Sequence, residues 1–189
     1  MSRNNLILLA AGTLIGLGIG CLLFFGLSSS EFIISRITGN RAQGVSPAVP
    51  AVNSPAPDFE LALLSGEQLR LSDLRGHTVV INYWATWCYP CRLEMPLLQK
   101  YSDQYGSGLK VLAVNYDESQ ADVQAFVDDL GLSFDVLLDP GGEVSKLYRV
   151  RAFPSTFFVD AEGVIRYLHI GELNERQLLG YLEQVGVGQ

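Results

Sequence analysis

The sequence predicts an α/β fold: a central mixed sheet flanked by helices, preceded by one transmembrane helix. Three observations predict it. Short runs rich in β-branched and aromatic residues alternate with stretches of helical apolar spacing, the last two such runs flank a tight turn ahead of a closing helix, and an uncharged apolar stretch opens the chain. With 189 residues there is room for one ordinary domain plus an anchor, not for two full domains.

The opening stretch, Leu6 to Leu27, carries no charge and has Thr13 as its one clearly polar side chain. As a helix rising about 1.5 Å per residue it reaches about 33 Å, enough to cross a hydrocarbon core of about 30 Å. A cleaved secretory leader would share Arg3 and the small residues Ser28 and Ser30, but such cores run only about 7–15 residues, which favours a retained anchor. Arg3 lies on one side of the span and Arg36 and Arg41 on the other, so charge does not orient it. Cys21 falls inside the span and reads as a small apolar residue. Residues 1–30 are thus read as the anchor and 31–54 as a juxtamembrane segment and Pro-rich linker. From Gly44 to Pro57 four of the eight prolines and no charge occur together, the composition of an extended, solvated tether.

Residues 55–189 form the predicted domain. Phe59–Leu64 and Gln68–Leu71 flank a Ser65-Gly66 turn and read as a hairpin. Thr78–Trp84 and Leu109–Tyr116 read as buried strands, with a helix at Arg92–Tyr105 between them that Gly106 ends. Ala121, Ala125, Phe126 and Leu130 have helical spacing and predict a helix over 121–130, stopped by Gly131. A short strand at Phe134–Leu138, a short helix at Glu143–Tyr148, and a hairpin of Ser155–Val159 with Val164–His169 follow. Asn174–Val185 closes the chain as an amphipathic helix with Asn174 as its cap.

Charge excludes one class of partner. The chain has 20 acidic and 13 basic residues, and all but one of the acids lie in the domain, so no basic face is available for a nucleic acid. Three cysteines are too few for a stapled scaffold. Cys88 and Cys91, in Trp84-Ala-Thr-Trp-Cys88-Tyr-Pro-Cys91, sit where a buried strand gives way to a helix, a place expected to expose the first cysteine and bury the second. Unpaired N–H groups and the helix dipole stabilise a thiolate at Cys88, which makes it the nucleophile. Cys91, three residues on, can resolve a mixed disulfide by attacking Cys88. Half of a zinc site also begins C-x-x-C, but two more ligands would be needed, and the two histidines, His77 and His169, are isolated, one at a predicted turn and one at a predicted strand end. No metal and no cofactor beyond a redox-active Cys88–Cys91 disulfide is therefore expected.

On these residues the chain resembles a known family. WCYPC after a buried strand, with Pro96 five residues past Cys91, resembles the thioredoxin superfamily. APDFELALLSGEQLRLSDLRG ahead of VVINYWATWCYPCRLEMP, then VLAVNYD and LLDPGGEVSKLYRVRAFPSTFFVDAEG, is similar to the membrane-anchored TlpA/ResA-type thiol-disulfide oxidoreductases. The likeness covers about residues 55–185. It implies a thioredoxin fold with an N-terminal hairpin and an inserted strand–helix unit, single-pass attachment to the cytoplasmic membrane, and an extracytoplasmic catalytic domain. It implies reduction of protein disulfides, often in cytochrome c maturation, with recharging by a membrane-embedded thiol donor.

The resemblance also assigns residues. Pro154, in Phe153-Pro154-Ser155-Thr156, matches the family's cis-proline loop, where the Phe153 backbone can pair with an extended substrate segment. Trp87 is expected to shield the disulfide or to pack in the core, and Tyr89 and Pro90 to tune the pair from between the cysteines. Pro96 is expected to kink the helix. Glu94 matches the acidic position of the family's C-x-x-E-x-P run and reads equally as a solvated charge on an exposed helix face. Asn82 stands six residues before Cys88, where cytoplasmic thioredoxins carry a buried aspartate; an amide cannot act as a base, so the proton acceptor for Cys91 is unassigned.

Two further readings compete. The APDFEL start is shared with peroxiredoxins, thiol peroxidases whose reactive cysteine follows a threonine by three positions and is polarised by an arginine; here Thr86 precedes Cys88 by two. A non-enzymatic redox-sensing binding module could use the same fold.

Overall fold

The computed structural model of the chain describes residues 50–188. The expected span at Leu6–Leu27 lies outside them, and among the described residues no helix is long and apolar enough to cross a membrane. In chain order the elements are β1 (Glu60–Leu63), β2 (Gln68–Arg70), β3 (Thr78–Trp84), α1 (Tyr89–Tyr105), β4 (Leu109–Tyr116), α2 (Gln120–Leu130), β5 (Asp135–Asp139), α3 (Glu143–Leu147), β6 (Ser155–Val159), β7 (Ile165–Ile170) and α4 (Glu175–Gln184).

The strands form one mixed sheet in the order β2-β1-β5-β4-β3-β6-β7. β3, β4 and β5 run parallel, while β6 is antiparallel to β3 and the β1–β2 hairpin joins β5 antiparallel. The inserted unit is α2 followed by β5, which widens the sheet between β4 and the leading hairpin.

β3 is buried along its whole length, which its run of valine, isoleucine and aromatic residues permits. Alternation divides its side chains between two cores. Val80 and Trp84 join the core beneath α1, α2 and α4, with Met95, Leu98, Phe126 and Leu178. Val79, Ile81 and Tyr83 join the opposite core with Leu112, Tyr148 and Phe157. Asn82 has the parity of Val80 and Trp84 and so lies beneath α1.

Several elements differ from the sequence expectation. α1 begins at Tyr89 rather than Arg92, with Cys88 as its N-cap and Pro90 in its first turn, where a missing N–H costs nothing. Pro96 lies inside this helix, which runs on unbroken to Tyr105. On α2 the buried residues are Val123, Phe126 and Val127, while Ala121 and Ala125 are exposed. Valine buries more apolar area than alanine, so the two valines set the inward face. α4 is capped as expected by Asn174, in a reciprocal capping box with Gln177.

The end of the Pro-rich segment is not a solvated tether. Asn53 and Ser54 exchange backbone hydrogen bonds with Ile165, and Ala56 N donates to Gly163 O, so this segment lies against the β7 end of the sheet. Ala56 is buried, and the buried Tyr148 hydroxyl donates to Pro57 O at 2.7 Å. The prolines satisfy the tether reading and an edge segment equally, because an edge position needs only every second N–H.

Replacing Tyr148 by Phe should leave Pro57 O buried without its donor and cost about 1–2 kcal/mol. Urea unfolding of Y148F against the parent chain would measure it, and an unchanged midpoint would mean that this bond adds nothing.

Candidate active site

The C-terminal ends of β3 and β4 lie side by side, with Trp84 opposite Asn115. The loops leaving two parallel neighbours therefore converge, and this convergence builds the site. After β3, Ala85-Thr86-Trp87 leads into Cys88, whose N–H donates to Ala85 O. After β4, Glu118 returns to the first loop. Its carboxylate accepts from Thr86 N at 2.7 Å, from the Thr86 hydroxyl, and from Asn115 Nδ2 at 2.7 Å. Sequence reading passed over Glu118, although parallel pairing of the two strands would have brought the segment after VNY next to the segment after INYW.

Cys88 and Cys91 form a disulfide, with Cα atoms 5.3 Å apart. Cys91 N donates to Cys88 Sγ at 3.2 Å, so the sulfur of Cys88 occupies the acceptor position of a helix N-cap. Once reduced, a thiolate at that position gains the same donor and the positive end of α1. Cys88 is 5% exposed and Cys91 fully buried, so the first cysteine is less open than the strand-to-helix junction suggested.

Aromatic rings lie beside the pair. Trp87 is 67% exposed, which removes the core-packing role, and its ring meets Phe153 edge-on at 5.7 Å between centroids. Tyr116 also packs against the Phe153 ring, tilted, at 5.3 Å between centroids. A side chain at Gly142 would run into the Tyr116 ring, so the glycine makes room for it. The Phe153–Pro154 peptide bond is cis, and Pro154 is buried. Tyr89 is exposed and Pro90 half-buried at the start of α1.

Beneath the disulfide the reading of Glu94 as a solvated charge is overturned. With α1 starting at Tyr89, Glu94 falls on the inward stripe of Cys91, Met95, Leu98 and Tyr101, and it is 1% exposed. Asn82 Nδ2 donates to Glu94 Oε1 at 2.7 Å and to Thr156 Oγ1 at 2.9 Å, while Leu173 N donates to Glu94 Oε2 at 2.8 Å. Burial pushes the Glu94 carboxyl up to about 7 against the pull of these donors, and the Glu172 carboxylate adds to the rise. Cys91 and Glu94, three residues apart on one buried helix face, are neighbours. Asn82 is thus a hydrogen-bond donor to the buried carboxyl.

His77 and His169 are far apart in role. His169 contacts the Tyr181 hydroxyl and Glu172 O, while His77 lies at the turn before β3. Among the described residues no cluster of His, Cys, Asp and Glu could hold a metal ion. The arginine nearest the pair in sequence, Arg92, is engaged with Asp129 and lies over the Phe126 ring. The Thr86 hydroxyl is bound to Glu118.

Residues 52–168 match the AhpC/TSA family. Over 126 residues the chain is 41% identical to the thioredoxin-like protein YneN of Bacillus subtilis (strain 168), spanning 65% of this chain and 74% of that protein. It is 38% identical over 136 residues to the thiol-disulfide oxidoreductase ResA of Geobacillus kaustophilus (strain HTA426), spanning 71% and 78% respectively. Among solved structures, the exposed lipoprotein thioredoxin Etrx1 from Streptococcus pneumoniae strain TIGR4 superposes with a TM-score of 0.59 at 32% identity, covering 67% of this chain and 98% of that one. The fold described above is thioredoxin-like.

The buried carboxyl predicts a pH dependence of stability. Because the folded chain holds the Glu94 proton more tightly than the unfolded chain, stability from this group is complete below the ordinary carboxylate value of 4.5 and is lost as pH rises through about 7. Relative to Glu94→Gln, the parent chain should lose roughly 3 kcal/mol across that window. Urea unfolding of both proteins over a pH series gives the difference, and a flat difference would show that Glu94 titrates as an ordinary carboxyl.

Proposed function

The chain belongs to the AhpC/TSA family and is a thiol-disulfide oxidoreductase like its ResA relatives, and on that premise we propose that it reduces disulfides of extracytoplasmic proteins from a membrane tether. The observation that carries the reading is the Cys88–Cys91 pair at the first turn of α1, with the Cys91 N–H aimed at Cys88 Sγ.

In the reduced domain the Cys88 thiolate attacks one sulfur of a client disulfide and displaces the other as a thiolate, leaving a mixed disulfide. Cys91 is buried and needs a base before it can attack. Glu94, one turn along the same face, its burial partly offset by two N–H donors, in its ionised form takes the Cys91 proton. The Cys91 thiolate then attacks Cys88 Sγ, the second client thiolate leaves, and the domain ends as the Cys88–Cys91 disulfide. Two electrons have passed to the client. Client binding falls to the surface around the pair: exposed Trp87 and Tyr89, with Pro90 beside them and the Phe153-Pro154 loop opposite. An extended client segment pairing with the Phe153 backbone would bring its disulfide over Cys88.

The uncharged stretch at Leu6–Leu27 supports the tether, and the resemblance to ResA-type proteins favours a single-pass location in the cytoplasmic membrane with the domain outside. Cytoplasmic reductants cannot reach a domain so located, which is the reason for a membrane-embedded thiol donor as the source of electrons. Apocytochrome c is the client class that the resemblance to ResA-type proteins favours. Neither a metal nor a nucleic acid enters this chemistry.

Two variants test the assignment. Cys88→Ser should reduce insulin disulfides no faster than buffer, and Cys91→Ala should accumulate mixed disulfides with client proteins in cells. Trapping by Cys88→Ala and not by Cys91→Ala would reverse the two roles; turnover by Cys88→Ser would end the proposal.

A further inference from the structure

Asn82 has more to do than fill the place of an acid. Its amide spends both Nδ2 hydrogens on oxygen, one on Glu94 Oε1 and one on Thr156 Oγ1, while its own Oδ1 is buried without a partner. Glu94 Oε2 is taken by the Leu173 N–H. Both carboxylate oxygens therefore face N–H donors, an arrangement that suits the ionised group and offers no acceptor for a carboxylic acid hydrogen.

A protonated Glu94 has an O–H to place. Turning the Asn82 amide by half a turn exchanges Oδ1 for Nδ2, so the free Oδ1 comes to face Glu94 Oε1 and Thr156 Oγ1. The carboxylic acid then donates to Oδ1, and the Thr156 hydroxyl, a donor as well as an acceptor, can rotate to donate to it too. The same three side chains thus have one hydrogen-bond pattern for each protonation state.

Building on Glu94 as the acceptor of the Cys91 proton, we propose that Asn82 is a positioning residue whose amide turns with the proton on Glu94, presenting NH2 to the carboxylate and C=O to the acid. The two patterns are not equal in cost. The first leaves a carbonyl oxygen unpaired and the second an amino group, and a buried N–H without an acceptor is the dearer of the two. Asn82 therefore favours the ionised carboxyl against the burial and the Glu172 charge that oppose it. From the elements around Glu94, the other facing groups named above, the Thr156 hydroxyl on β6 and the Leu173 N–H ahead of α4, are neutral, and Cys91 on α1 is bonded to Cys88 in the oxidised protein.

The test uses the full chain, oxidised, in detergent micelles and labelled with 15N-asparagine and 13C-glutamate. Between about pH 5 and about pH 9 the Glu94 carboxyl carbon and the Asn82 side-chain NH2 signals should shift with one shared midpoint, and Glu94→Gln should abolish the Asn82 shift. Asn82→Leu should raise the Glu94 midpoint by about one pH unit, a tenfold gain in proton affinity that loss of packing alone would not produce. An Asn82 signal that stays still while Glu94 titrates overturns the proposal, as does a Glu94 that does not titrate in this range or a midpoint unmoved in Asn82→Leu. Should Asn82→Leu fail to fold, the signals of the parent chain decide. No turnover is read in any of these, so a failure of Cys91→Ala to trap clients would count against the oxidoreductase roles and leave the amide switch standing or falling on its own spectra.

Discussion

One hydrogen bond organises the site: the Cys91 N–H on Cys88 Sγ, made in the first turn of α1. A sulfur can cap a helix only if the chain turns from strand to helix at that residue, and β3 supplies the turn by ending at Trp84 in the middle of the sheet, where it is locked between β4 and β6. Pro90 starts the helix without wasting a donor, and Cys91 is carried inward by the periodicity of the helix. The two sulfurs thus differ in environment although they are bonded. One lies at the positive end of a helix dipole, the other against the apolar core, a difference that suits the roles of attack and resolution proposed for them.

The surface around the pair follows from the same junction. Trp87 leaves the sheet just before the cap and stands 67% exposed, and Phe153 on the opposing loop meets it edge-on. The Gly142 backbone closes on Tyr116, which packs against the Phe153 ring. An apolar rim on a strongly acidic body suits a reaction that must bind a partner, exchange sulfur and let go. Ring contacts are short-ranged and depend little on client charge, whereas a charged rim would select by field at a distance.

Much of this was legible in the sequence, and the parts that were not have physical reasons. Strands announced themselves because both faces of β3 and β4 are buried, leaving runs such as TVVINYW with no polar alternation to blur them. WCYPC identified the chemistry because few other uses of two cysteines fit a strand-to-helix turn. Glu94 was misjudged because a helix start read three residues late hides its place in the Cys91, Met95, Leu98 stripe, and because a lone carboxyl on a helix is ordinarily exposed. Glu118 could not be seen from spacing at all: it is 30 residues from Cys88 and reaches the loop only through parallel pairing of β3 with β4. Residues 53–57 were misread for a different reason, since a proline-rich segment bonded to a sheet edge and a free tether have the same composition.

The two carboxyls beside the cysteines show how environment divides labour. Glu118 is only partly buried and takes three donors, two from Thr86 and one from Asn115, so its negative charge is spent on holding the loop that leads to Cys88. Glu94 is deeply buried and takes two, too few to offset the loss of water, and burial lifts it to about 7. A carboxyl tied into a loop by three donors is placed to hold that loop. One poised near neutrality, on the same helical face as the thiol that must be deprotonated, can take a proton and return it within each cycle. Where cytoplasmic thioredoxins carry an aspartate, this chain has a hydrogen-bonded pair, an acid on the helix and an amide on the strand, with the amide donating to the acid and offsetting part of the cost of its burial.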